Sequence, residues 1–312
     1  MRILFISDIH LAYGPREPIR PEMRKLWCSL GACGNEFMDR FEDRLRREAK
    51  NVRILTDKWM QENQNNYDLV INGGDIAMPL KKHSDRMEAV DFAWSDYLNR
   101  FGEEKLIVLT GNHELGHGYD AEPEFYSDLM DFRGELFNRP INKNGYGALE
   151  INNTTLLFID SELIAFDQRQ LRDPFIDEHA RAMENLVRDC VYKKGPIAFI
   201  THNTARTRYW IRKLGLWSDL VSHGRQVLFI GGHFHVPRAS FIDGAEVHWS
   251  GGGSYPEPWL RYLARIPFTG IQNGGPGAIE LKLIQNKILV RHRPFGVNMS
   301  ILKRKTNTKN NK

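Results

Sequence analysis

Residues 226–235 read QVLFIGGHFH. An apolar run ends on two glycines, and His233 and His235 follow at once. A short β-rich run that stops at glycine reads as a buried strand. Both imidazoles then stand at the strand's end. The same texture occurs elsewhere: Arg2–Ser7 stops at Asp8 and His10, and Asp68–Gly74 stops at Asp75. Lys105–Gly111 stops at Asn112 and His113, and Pro196–Thr201 stops at His202. In open α/β sheets, ligands sit in the crevice outside the carboxyl ends of the strands. These strand ends would gather the oxygens of Asp8, Asp75 and Asn112 with the imidazoles of His10, His113, His202, His233 and His235. That set describes a metal site with two ions.

Working outward, helical patterns separate the runs. Phe37, Phe41, Leu45, Val52, Leu55 and Trp59 form one apolar face between Asn35 and Asn63. Met87, Val90, Trp94, Tyr97, Leu98 and Phe101 repeat it, as do Ile176, Ala180, Met183, Val187 and Cys190. Strand–helix–strand order predicts an α/β (α+β) domain with partly parallel pairing. Leu156–Asp160 is a further strand. After His235 the texture changes: Ala245–Ser250, Ala278–Ile284 and Lys287–His292 read as strands joined by Gly- and Pro-rich turns. Gln285-Asn286 suits a hairpin. These late strands predict a second, more antiparallel sheet packed on the first. No repeat or linker is visible, so residues 1–300 are expected to form a single domain. The basic, polar tail at 301–312 is expected to be disordered. Leu11–Gly34 and Leu115–Gly147 exceed what a connection needs and read as long loops that shape a substrate pocket.

The bulk numbers exclude several classes. The chain has 312 residues, 41% hydrophobic and 11% aromatic, which suits an ordinary globular core. A formal net charge of +4 is too small for a dedicated nucleic-acid binder. Cys28, Cys33 and Cys190 make no disulfide framework and fit a reduced, cytoplasmic setting. The chain opens directly on the strand-like RILFIS, without a leader pattern. No apolar run approaches the roughly 18 residues that span a bilayer, so no membrane partner is expected.

The spacing has chemical content. Asp8 and His10 are two apart, as are His233 and His235, and on a strand continuing past its edge such residues point the same way. Carboxylate, amide oxygen and imidazole without thiolate suit manganese, iron or zinc. Two such ions, about 3.5–4 Å apart, can share a hydroxide and clamp the oxygens of an in-line phosphoryl displacement. His113, beside a ligand, can steady an oxyanion or protonate a leaving group.

The blocks DIH (8–10), GGD (73–75), GNHE (111–114), TH (201–202) and GGHFH (231–235), in this order, resemble the calcineurin-like metallophosphoesterase superfamily. The resemblance implies a two-sheet β-sandwich flanked by α-helices, with a two-metal centre between the sheet edges. Carried over by position, it implies that Asp8, His10 and His235 hold one ion. Asn112, His202 and His233 would hold the other, with Asp75 bridging and His113 as the catalytic histidine. The superfamily's serine/threonine protein phosphatases carry Asp-Arg-Gly after the second block. This chain reads GGDIAMP there, which argues against that branch.

Competing readings exist. His113–His117 read HELGH, a match to the H-E-x-x-H zinc-protease signature, with Glu135 as a distant third ligand. That motif needs a helix, and Gly116 and Gly118 would cost one roughly 2 kcal/mol. Arg206, Arg208, Tyr209 and Trp210 follow His202 closely. Arginine pairs bidentately with phosphate and aromatic rings stack on bases, so Arg206 and Arg208 are candidate substrate contacts. The remaining histidines, His83, His117, His179, His223, His248 and His292, are read as surface or satisfied core residues. The expected activity is hydrolysis of a small phosphomonoester or phosphodiester by a metal-bridging hydroxide. A manganese-dependent nuclease and a non-catalytic scaffold on the same fold are the alternatives.

Overall fold

Alternation within each apolar run decides which layer each side chain enters. In the computed structural model, which describes residues 1–9, 54, 56–76, 83–115, 123–168, 173–222, 224–234, 237–252 and 277–295, β1 spans Arg2–Ile6. Its Ile3 and Phe5 face one apolar cluster, and its Leu4 and Ile6 face another. Successive strand residues point to opposite faces, so a strand apolar at every position must be covered on both.

Parallel to β1 run β2 (Leu69–Asn72) and then β3 (Leu106–Val108). On the other side lie the antiparallel β10 (Gly277–Ile284) and β11 (Lys287–Pro294), giving the order β11-β10-β1-β2-β3. The second sheet has the order β4-β5-β6-β7-β9-β8. Its parallel centre is β5 (Thr154–Ile159), β6 (Ile197–Thr201), β7 (Val227–Gly231) and β9 (Ala245–Trp249). The antiparallel edges are β4 (Gly147–Ile151) and β8 (Arg238–Ile242). Ile3, Phe5 and Ile71 of one sheet share an apolar cluster with Phe158, Ile200 and Ile230 of the other, so the two sheets sandwich a core.

Helices cover the outer faces. α1 (His83–Phe101) buries Val90, Ala93, Trp94 and Tyr97 in the cluster that holds Leu4, Val70 and Val108. α2 (Pro123–Leu136) and the short α3 (Pro140–Asn144) follow β3, and α4 (Ser161–Gln168) follows β5. α5 (Pro174–Val191) starts where Asp173 accepts from the backbone N–H groups of Phe175 and Ile176, with proline at its first position. α6 (Thr204–Lys213) is capped by Asn203, and α7 (Trp217–Ser222) leads into β7. No helix among the described residues is long and apolar enough to cross a membrane.

Two expectations need correction. The strands after His235 do not form a sheet of their own. β9 joins β7 in parallel, whereas β10 and β11 return to β1. Leu115–Gly147 is not a long loop, since α2 and α3 occupy much of it. The hairpin at Gln285-Asn286 forms, with Gln285 at φ 29°. Leu11–Gly34, most of the 35–63 helical pattern, Cys28 and Cys33, and the tail at 301–312 lie outside the described residues.

β3 is an edge strand whose free side is closed by side chains rather than by another strand. Asn142 Oδ1 accepts from Val108 N–H at 3.0 Å, and its Nδ2 donates to Leu106 O at 3.0 Å. Arg133, fully buried in α2, donates to Val108 O, to Asn142 O, and to Thr110 Oγ1 at 3.0 Å. Its guanidinium lies 4.9 Å from the Trp94 ring centroid. Burial lowers its pKa to about 10 against the opposing pull of Asp160, so it stays charged at neutral pH. This clamp fixes the end of β3 immediately before Gly111, Asn112 and His113.

Candidate metal centre

The parallel strands of both sheets end at one crevice. Asp8, Asp75 and His233 all adopt positive φ there, at 57°, 54° and 71°. Left-handed backbone is uncommon for side-chain-bearing residues and concentrates at functional sites. Each bend aims a polar group across the gap between the sheets. The N–H of His233 reaches both carboxylate oxygens of Asp8 at 3.1 Å. Asp8 N–H donates to Gly74 O at 2.9 Å. The chain has thus left strand geometry by Asp8 and His233, so the alternation argument for Asp8/His10 and His233/His235 does not apply. His10 and His235 themselves lie outside the described residues.

Glycine is required where the tips touch. A Cβ on Gly111 would come within 2.2 Å of Asp75 Oδ1 and 2.3 Å of Asp75 N. Only a hydrogen side chain lets the Asn112 turn lie against the Asp75 turn.

Four side chains meet in the crevice. One ligand atom each from Asp75, His202 and His233 lie within 4.8 Å of one another. His202 Nδ1 is 2.9 Å from Gly73 O, a group that only accepts, so Nδ1 carries the N–H. In the neutral ring Nε2 then holds a lone pair. It faces Asn112 Oδ1 at 3.0 Å and Asp75 Oδ2 at 3.2 Å. Asn112 Oδ1 is also 2.9 Å from His233 Nδ1. Lone pairs from carboxylate, amide and imidazole that point at one another in a buried space need a proton or a cation between them. This donor set fits a divalent first-row metal ion.

The electrostatics agree. Burial, the largest single effect, pulls the His202 imidazole down, but the carboxylates of Asp75, Asp8 and Glu162 together carry it up to about 10. His233 moves the other way, lowered by burial and then by the charge on His202. One proton thus occupies the position that a cation would take.

His113 is partly exposed beside this group. Its backbone N–H donates to Asp75 Oδ1 at 2.8 Å, and its Nε2 lies 3.8 Å from Asp75 Oδ2. The Arg206 guanidinium pairs with Glu162, whose charge acts on both His202 and His233, at 2.6 Å and donates to Ser161 O at 3.1 Å. Arg208 donates to Thr204 O at 3.3 Å within α6. Among the other histidines, His179 bonds Tyr146 at 3.2 Å, and His248 and His292 face each other at 3.5 Å.

The most telling residue missed by spacing arguments is Glu114. It is fully buried and accepts from three backbone N–H groups: Asp75 at 2.8 Å, Gly111 at 2.6 Å and Ile76 at 2.7 Å. It ties the β2 tip to the β3 tip. Residues 112–115 form a turn, at odds with the helix that an H-E-x-x-H zinc site needs. Asp160 is a further strand-end acid, following β5. It accepts from Tyr126 and from the first N–H groups of α4 rather than facing the crevice.

A crevice between two sheet edges, lined by strand-end carboxylate, amide and imidazole groups, is the architecture of a metal-dependent hydrolase fold. The chain belongs to the calcineurin-like phosphoesterase family, which its residues 1–237 match. A dimetal phosphatase from Danio rerio shares the fold with a TM-score of 0.53 at 15% identity, over 94% of this chain and 96% of that one. A purple acid phosphatase from yellow lupin (Lupinus luteus) does so with a TM-score of 0.51 at 12% identity, over 94% of this chain and 51% of that one. At such identities the likeness is one of fold. None of the curated proteins compared with this sequence matches it.

Proposed function

We propose that this chain is a two-metal phosphoesterase. Asn112, His202 and His233 would hold one ion and Asp8, His10 and His235 a second, with Asp75 available to both. The observation that carries this reading is the convergence of lone pairs from Asp75, Asn112, His202 and His233, contributed by both sheets. Bound there, a pair of divalent ions supplies an ionised water as nucleophile and positive charge opposite the phosphoryl oxygens. The chain's own residues do the rest. Glu114 and the glycines hold the Asp75 and Asn112 turns together. His113, anchored through its backbone to Asp75, would give a proton to the departing oxygen. Arg206, held by Glu162, and Arg208 are the chain's candidate substrate contacts.

The test compares Asp75→Asn and His113→Ala with the native chain. The panel holds phosphomonoesters, phosphodiesters, cyclic nucleotides and single-stranded DNA, with manganese present. Both variants should lose turnover by about 100-fold or more, and His113→Ala should retain bound metal. Native rates in both variants would overturn the reading. Two metal equivalents per purified chain would favour the enzyme over a scaffold, and turnover of DNA alone would make it a nuclease.

A further inference from the structure

At one edge of the sandwich the inner face turns polar. On β9, Ala245, Val247 and Trp249 enter the outer, helix-covered cluster. Glu246 and His248 therefore point the other way, toward the opposite sheet. On β11, Ile288 and Val290 pack on the inner cluster, and His292 continues that face. The two histidines meet across the gap, one from each sheet, with His248 Nδ1 3.5 Å from His292 Nε2. The pair stands apart from the crevice. His248 lies opposite Ile230, three residues before His233 and one strand further out. His292 lies opposite Ile279, itself opposite Phe5, three residues before Asp8.

A chain of contacts orients His248. Glu246 Oε2 lies 3.5 Å from its Nε2. A carboxylate only accepts, so it favours the hydrogen on Nε2 and leaves the lone pair on Nδ1, toward His292. Glu246 is held in turn, because Gln226 Nε2 donates to its Oε1 at 3.1 Å. Gln226 also donates to Ile288 O at 3.0 Å and accepts from Ile288 N–H at 2.9 Å, which fixes it against β11. Burial lowers both imidazoles, His292 to about 4, so both rings are neutral at pH 7.

The spacing is that of a chelate. At 3.5 Å the two ring nitrogens are further apart than in a good hydrogen bond. Two imidazole nitrogens on one tetrahedral zinc, each about 2.0–2.1 Å from it, stand about 3.3–3.4 Å apart. A ligating histidine commonly passes its other N–H to a carboxylate, the position that Glu246 holds. Solvent reaches the group: the His248 side chain is 11% exposed, that of Glu246 is 40% exposed, and His292 is partly exposed.

We infer that His248 and His292 form a metal site outside the crevice, which takes zinc or a similar imidazole-bound divalent ion, has Glu246 as its positioning residue, and clips β9 of one sheet to β11 of the other. Water fills the remaining positions on the ion. The clip does not depend on the phosphoesterase reading.

Equilibrium dialysis of the full chain against zinc chloride counts the ions. The native chain should bind one zinc more than His248→Gln or His292→Gln, and Asp75→Asn should keep that ion. Glu246→Gln retains both ligands, so it should reach the native count but need about 10- to 100-fold more free zinc for this ion. Zinc should also raise the urea midpoint of the native chain further than that of His292→Gln. Equal counts in the native chain and both histidine variants, or a midpoint shift that His292→Gln shares in full, would overturn the clip. If the histidine variants do not fold, Glu246→Gln decides, and native zinc affinity in it ends the proposal. His292→Gln should keep native turnover with manganese. An inactive native chain would therefore count against the phosphoesterase reading alone, and an unchanged zinc count against the clip alone.

Discussion

Replacing Glu114 by glutamine tests how the site is held together, because it alters one atom and removes one charge. In the native chain Oε2 accepts from the Asp75 and Gly111 N–H groups, and Oε1 accepts from Ile76. Glutamine keeps a single acceptor. If its oxygen stays opposite Asp75 and Gly111, its amide group points at the Ile76 N–H, donor against donor. One charge-assisted bond is lost, about 1.5–3 kcal/mol, and a buried N–H is stranded at about 1–3 kcal/mol. The two surviving bonds fall to the neutral range of about 0.5–1.5 kcal/mol. Relief from burying a carboxylate offsets part of this. The net expectation is a loss of about 3–5 kcal/mol. Urea unfolding of the metal-free protein measures it, with the exposed Glu135→Gln as control. Metal content and turnover should fall with stability, since the Asp75 turn loses its anchor. A Glu114→Gln protein within about 0.5 kcal/mol of native, with full turnover, would refute the claim that this carboxylate joins the two tips.

Three further outcomes follow from the same geometry. His202 is raised above its unfolded value of about 6.5 to about 10, so the stability from its pairing with Asp75 is complete below pH about 6.5 and fades as pH rises through about 10. An ion must displace that proton, so calorimetry in buffers of different ionisation enthalpy should show proton release on metal uptake at pH 7.5, with affinity rising from pH 7 to 9; a flat profile would contradict this. Arg133→Met should cost about 3–5 kcal/mol by stranding Val108 O, Asn142 O and Thr110 Oγ1, and its denaturation midpoint checks this. His292 is depressed to about 4, by burial and then by His248. Its folded form resists protonation, so stability should erode as pH falls from about 6.5 toward 4, and His292→Gln should flatten that slope in acid unfolding curves.

What the sequence made legible, and what it hid, divides along a physical line. The strands of both sheets were visible because runs such as Leu69–Asn72 and Val227–Gly231 are apolar at nearly every position and end at glycine or a polar residue. Their partners were not visible. β10 pairs with β1 across most of the chain, as in Leu4 with Glu280. Nothing in either strand's composition distinguishes that pairing from an independent sheet. α2 did carry a signal: Phe125, Tyr126, Leu129 and Met130 recur at helical spacing and are all buried. Reading the segment as a loop obscured them, and with them Arg133.

The candidate site divides in the same way. Asp75, Asn112, His202 and His233 could be named from sequence because coordination demands particular side chains, and only a few residue types supply them. What brings those side chains together is mostly backbone. The His233 N–H reaches Asp8, the Asp75, Ile76 and Gly111 N–H groups reach Glu114, and the His113 N–H reaches Asp75. Every residue except proline carries such a donor, so a sequence pattern cannot mark which of them matter. The positive φ at Asp8, Asp75 and His233 belongs to the same class: it bends the chain at each tip and leaves no trace in composition. Glu114 is where the two classes meet. Its carboxylate is visible in the GNHE block, but its role, collecting three donors from two strand tips, appears only once the sheet edges are side by side.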